Sequence, residues 1–155
     1  VFSHLLLGSM YWRNPPNNDF FAYFVRNGGT GTLPAAATMN CWESIMYAAY
    51  LSNKINASWI QNFYNTAFGA SDPNVLIWSQ LGWNSGLPVY PGTTPTVGQL
   101  IFYTESGRPY PGHVAMAIDG THAISLWSQP NNDFFIQRVN INVFPGVIQI
   151  SNPPW

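Results

Sequence analysis

One cysteine and three histidines carry most of the chemistry this chain offers near neutral pH. Cys41 lies in the stretch Asn40-Cys41-Trp42-Glu43-Ser44, ahead of apolar residues that recur at helical spacing. A cysteine in the first turn of a helix faces unpaired backbone N–H groups and the positive end of the helix dipole, and both favour the nucleophilic thiolate. An ordinary thiol, with a pKa of about 8.5, is only a few per cent ionised at neutral pH, and a neighbouring imidazolium lowers that pKa by several units. His113 is the candidate imidazole. It follows Pro111-Gly112 and opens the strand-like run HVAMAI, with Ala115 and Ala117 on its face leaving room for a helix to pack close. Each residue has a plain alternative: an inert core thiol, and a partly buried ring bonded to backbone. Taken together, a helix-start cysteine and a strand-start histidine point to a nucleophile with its general base.

Two kinds of element must hold this pair. The spacing of Trp42, Ile45, Met46, Ala49 and Tyr50 predicts a helix beginning near Cys41, capped by Thr38 or Asn40. A second helix is expected through ASWIQNFYNTAF with Asn56 as its cap, and a third from Asp72 with Pro73 in the first turn. After Gly86 the period shortens. The runs GQLIFYT, HVAMAI, HAISLW, FFIQRVNI and GVIQI are β-branched and aromatic, and Asp119-Gly120 between two of them signals a hairpin. Helices followed by consecutive antiparallel strands predict an α+β fold, with N-terminal helices packed on a C-terminal sheet. The string PNNDFF occurs twice, at 16–21 and 130–135, and reads as local turn chemistry rather than a repeat.

At 155 residues the chain suits one domain spanning 1–155. With 7% charged and 16% aromatic residues it is unlike a disordered segment. Lys54 is its single lysine and the arginines are scattered, which argues against a nucleic-acid partner. No apolar run approaches the roughly 20 residues of a membrane span. The opening VFSHLLLGSMYW lacks a basic start and a small-residue cleavage pattern, so it reads as structure. A lone cysteine excludes an internal disulfide and a zinc site built on several thiolates. His4, His113, His122 and Asp119 show no metal-ligand spacing, and neither metal nor cofactor is expected. Glu43 reads as a first-turn carboxylate favoured by the helix dipole, and the other carboxylates are too dispersed to suggest a glycosidase pair. Asn56-Ala57-Ser58 matches a glycosylation acceptor but is read as a helix cap.

The NCWES helix start, the VGQLIFY strand and the Gly-His-Val strand together resemble the papain-like superfamily, in particular its compact NlpC-type peptidases and amidases and related bacterial toxin and effector domains. The resemblance spans residues 38–127. It implies Cys41 as nucleophile and His113 as general base and later general acid. It also implies a third polar residue orienting the imidazole: Ser125 and Gln129 rank close together, then His122. The oxyanion would rest on the Cys41 N–H and a second donor such as Asn40, with Trp42 beside the substrate. Two departures stand out. The NlpC branch usually carries Asp-Cys-Ser where this chain has Asn-Cys-Trp, and the glutamine that larger papain-like enzymes place six residues before the nucleophile is Ala35 here.

The expected activity is hydrolysis of an amide through an acyl-thioester, by a peptidase, amidase or deamidase acting on peptide, protein or peptidoglycan. Low charge and near absence of lysine suit an exported effector or toxin domain, secreted or translocated into a target cell and excised from a longer polypeptide. The alternatives are a peptidoglycan-cleaving wall enzyme, an aromatic-rich module binding sugar or peptide with Cys41 inert, and a structural domain that self-assembles.

Overall fold

Capping chemistry sets where the helices start. In the computed structural model, which describes residues 2–7, 10–128 and 134–155, the main helices follow asparagine or aspartate. The elements in order are α1 (Phe2–Leu7), β1 (Tyr11–Trp12), α2 (Asp19–Phe21) running into a π-helical turn (Ala22–Arg26), β2 (Thr38–Met39), α3 (Cys41–Leu51), α4 (Ala57–Phe68) and α5 (Pro73–Gln80). Then come β3 (Leu100–Glu105), β4 (His113–Ala117), β5 (His122–Leu126), β6 (Ile136–Asn140), a 3₁₀ turn (Ile141–Val143) and β7 (Gly146–Ser151). The fold is mixed α+β.

Asn40 caps α3 through a reciprocal pair of bonds. Its side chain accepts from the Glu43 N–H at 3.0 Å, while the Glu43 carboxylate accepts from the Asn40 N–H at 2.9 Å. Thr38, the other candidate cap, is instead in β2, where its N–H donates to the Asp19 carboxylate at 2.8 Å. Asn56 caps α4 by accepting from the Trp59 N–H at 2.9 Å, and Pro73 sits in the first turn of α5 as expected.

Strands β1 and β2 form a short parallel pair, and the other five form one antiparallel sheet in the order β6-β5-β4-β3-β7. Alternation gives it two buried faces. Leu100, Phe102, Val114, Met116, Ile124 and Leu126 face the helices and share a core with Ile45, Met46, Ile60 and Phe63. Ile101, Tyr103, Ala115, Ala117, Ala123, Val139, Ile148 and Ile150 face the other way. That second core is closed by the link from β6 to β7, the two edge strands, whose Ile141 and Phe144 lie across it. Each fully buried side chain of this size contributes about 1.5–3 kcal/mol, so both layers matter to stability.

Several expectations change. The Asp119-Gly120 hairpin has a longer loop than two residues: the Ile118 N–H bonds the His122 carbonyl at 2.9 Å, and Asp119 accepts from the N–H groups of Thr121 and His122. Strand β6 begins at Ile136 rather than in the preceding Phe pair. Phe134 has φ +58°, which breaks the extended run, and Phe135 makes only an isolated bridge to Tyr11. The first PNNDFF copy starts α2, with the Asn18 side chain accepting from the Phe21 N–H at 2.8 Å; residues 130–133 of the second lie outside those described. No helix among the described residues is long and apolar enough to cross a membrane.

Gly146 tests the close approach of β7 to β3. A Cβ there would overlap the Thr104 carbonyl oxygen and lie 2.7 Å from the Tyr103 ring. Gly146→Ala is expected to destabilise by about 1–3 kcal/mol, read as a lower urea midpoint. An unchanged midpoint would show that the two strands do not meet this tightly.

Candidate active site

The first residue of α3 comes to the start of β4, beside the residue that follows His113. Helix α3 lies on β4 and β5, and the Cys41 sulfur at its N-terminus rests against the backbone of Val114, the residue after His113. Main-chain N–H groups of Val114, Trp42 and Cys41 itself are turned toward the sulfur and favour thiolate. Burial outweighs them. Cys41 is 6% exposed, and desolvation pushes its thiol up to about 12. The expectation of a thiolate activated by the helix start is therefore corrected: the resting group is a neutral thiol.

His113 is fully buried and lies on the face of β4 opposite Val114. Its Nε2 is 2.7 Å from the Ser125 hydroxyl, and the Trp127 indole stacks on the ring with centroids 4.4 Å apart. Phe144 covers it further, at 5.4 Å. Desolvation pulls the imidazole down to about 3, so it is a neutral base at rest. Nδ1 is buried with no hydrogen-bond partner among the described residues, and no hydrogen bond joins it to the cysteine. The helix does not occupy the room beside Ala115 and Ala117. Those residues do share the His113 face, but α3 packs on the Val114 side, and the space is filled by residues such as Ile141 and Phe144. Sulfur and imidazole thus approach the start of β4 from different faces. At that end the strand is bare: a Cβ built on Gly112 would meet nothing within 4 Å.

Of the two described candidates for orienting the imidazole, Ser125 is the one in contact with it. His122 stands at the opposite end of β5, on Asp119 at 3.2 Å and Thr121 at 2.8 Å. Gln129 lies outside the described residues. Asn40 is a helix cap, its side-chain N–H donating to the Asn14 side-chain oxygen Oδ1 at 3.5 Å. Trp42 is not beside an open site; its indole is buried against Phe63 and Tyr64, with centroids 5.6 and 5.5 Å away, because it points toward α4.

Sequence reading missed the polar cluster behind the cysteine. Glu43 is wholly buried, and its carboxylate accepts from the Tyr64 hydroxyl, the Asn40 N–H and, at 2.7 Å, the Asn18 amide. Desolvation still raises it to about 7 despite these three donors. Glutamate three residues after an asparagine announces a capping box, but nothing local announces Asn18 and Tyr64 as partners. Trp127 was readable only as a core residue. Its place over His113 follows from sharing a face with Ser125, two residues earlier.

Comparison with protein-family models, with curated proteins and with solved structures gave no match. Among the described residues, no three His, Cys, Asp or Glu side chains come together as metal ligands would.

Burial of His113 has a pH signature. An unfolded histidine binds a proton below about 6.5, whereas the folded one refuses it until about 3. Between those values the unfolded state holds more protons, so stability falls as pH is lowered from 6.5 toward 3, by at most about 1.4 kcal/mol per unit from this group. His113→Phe is expected to flatten that part of the profile, measured as the urea midpoint at intervals across the window. Parallel curves for the two proteins would show that the ring is not buried as a neutral base.

Proposed function

We propose that this protein is a cysteine-dependent amide hydrolase, with Cys41 as nucleophile, His113 as proton carrier and Ser125 as the group that orients the imidazole. One observation supports the reading above others. His113 is fixed at Nε2 by Ser125 under the Trp127 ring, while Nδ1 is left without a partner one residue from the backbone that touches the Cys41 sulfur. Most buried polar side-chain atoms find a partner, so the unpaired Nδ1 asks for an explanation, as do Trp78 Nε1 and Thr104 Oγ1, and of the three only Nδ1 belongs to a base beside the cysteine's strand.

In the proposed step His113 Nδ1 takes the thiol proton as Sγ adds to the substrate carbonyl carbon. At rest the two groups lie on opposite faces of β4, so this transfer requires them to meet past the strand start at Gly112. The tetrahedral oxyanion forms beside the main-chain N–H groups that face the sulfur, those of Cys41 and Trp42 among them. Breaking the C–N bond releases the amine, which leaves with the proton from His113. Water then adds to the thioester, giving its proton to Nδ1, and the carboxylic acid departs as the thiol is restored. Both groups start neutral, so no ion pair is needed before substrate arrives. The substrate class is an amide in a peptide, protein or peptidoglycan, and the low-charge, single-lysine surface suits an exported effector or toxin domain of a papain-like, NlpC-type kind. The rival reading, a non-catalytic binding module, draws on the burial of Cys41.

Acyl transfer from p-nitrophenyl acetate, followed by intact and peptide mass spectrometry, separates the two. One acetyl group on Cys41 is expected in the wild type and none in Cys41→Ala. In His113→Gln acylation is expected to be slower by about 10²–10⁴-fold, with a smaller loss in Ser125→Ala. An acylation rate equal in the wild type and His113→Gln, or no adduct at Cys41, would sink the hydrolase reading.

A further inference from the structure

A cavity of about 470 Å³ opens next to the buried imidazole, on the second face of the sheet. Its walls include Tyr103, Glu105, Gly112, Trp127 and Phe144. Trp127 and Phe144 are the two rings that cover His113, so the cavity and the imidazole share a partition. The three aromatic rings lie against one another with centroids 5.6–6.2 Å apart. Glu105 alone carries charge among the described residues lining the cavity. Its carboxylate makes one ion pair, to Arg108 at 3.9 Å, with both side chains about two-thirds exposed. Such a pair is weak and readily exchanged. The field of the carboxylate reaches into the aromatic wall: the Tyr103 hydroxyl is pushed up by burial first and by Glu105 second.

We propose that this cavity binds a cationic side chain, an arginine or lysine flanking the amide to be cleaved, with Glu105 as its counter-charge and Trp127 as the wall against which it packs. The inference deepens the hydrolase reading by naming a substrate class. The chemistry is direct. A long basic side chain lays its methylene stem on apolar surface while its charged head stays at the rim, where a carboxylate and an indole can both meet it. The rim cation Arg108 shows that a guanidinium already reaches Glu105. Gly112 lines this cavity and directly precedes His113, while the Cys41 sulfur rests against Val114 on the other side of β4, so a substrate held here would pass around the strand start to reach it.

Binding can be read without turnover. Nα-acetyl-arginine methylamide and its neutral citrulline isostere are titrated into wild type, Cys41→Ala and Glu105→Gln, following the Trp127 indole N–H signal, which is assigned by its absence from Trp127→Phe. In the wild type and Cys41→Ala, the arginine compound is expected to bind about fivefold tighter than the citrulline compound at low salt. Glu105→Gln is expected to abolish that preference, and 0.5 M salt to reduce it, about as strongly as screening allows. Equal binding of the two compounds, no binding of either, or a preference that survives Glu105→Gln would overturn the proposal. The Cys41→Ala arm separates the two readings: charge-selective binding there with no acylation of Cys41 in the wild type would leave the cavity standing and remove the hydrolase.

Discussion

Packing on both faces of β4 leaves its five residues without water, and the chemistry of the molecule follows from that. The helix-facing residues Val114 and Met116 lie under α3, while His113, Ala115 and Ala117 lie beneath the link from β6 to β7. A charge on either side of such a strand would have to be paired, because desolvating an isolated ion costs far more than one hydrogen bond returns. The strand instead carries a neutral imidazole and touches a neutral thiol. With only 7% charged residues in the chain, there are few counter-ions with which to do otherwise.

Glu43 is the exception that shows how a carboxylate is tolerated here. Among the described residues no cation meets it; three neutral donors, from the α2 cap, α4 and the α3 cap, do. Donors of this kind stabilise the ionised form without supplying a full opposite charge, so burial still holds the group near neutrality in its titration. The same bonds tie the start of α3 to α2 and α4, which fixes the position from which Cys41 meets the sheet.

Local chemistry explains what was legible in the sequence. Asn40 with Glu43, Asn56 and Pro73 announced the three main helices, and period-two runs announced the five strands, because each signal acts within a few residues. The pairing of His113 with Ser125 was also within reach, since both sit on adjacent antiparallel strands and share a face by alternation. Three things were not legible. The short N-terminal elements, including the parallel pair of β1 with β2, have too few residues to show a period. Which face of β4 the helix covers depends on how the link through Ile141 and Phe144 closes the sheet, a long-range choice. The state of the thiol depended on burial, which opposes and here exceeds the helix-start effect that the motif itself suggests.

The choice of a hydroxyl behind His113 then becomes intelligible. A carboxylate in that place would stabilise imidazolium and raise the ring's proton affinity, but it would add a buried charge to a layer of Tyr103, Trp127 and Phe144. Ser125 satisfies Nε2 and fixes the ring without any charge. The consequence is a weaker base, matched to a thiol that is itself hard to ionise. In the proposed reaction, proton transfer between them would need the developing oxyanion as a partner, since neither ion is stable alone in this environment. Under the proposed hydrolase reading, a site built on these terms would be silent until a carbonyl enters it, its reactivity set by what the substrate brings rather than by a preformed ion pair.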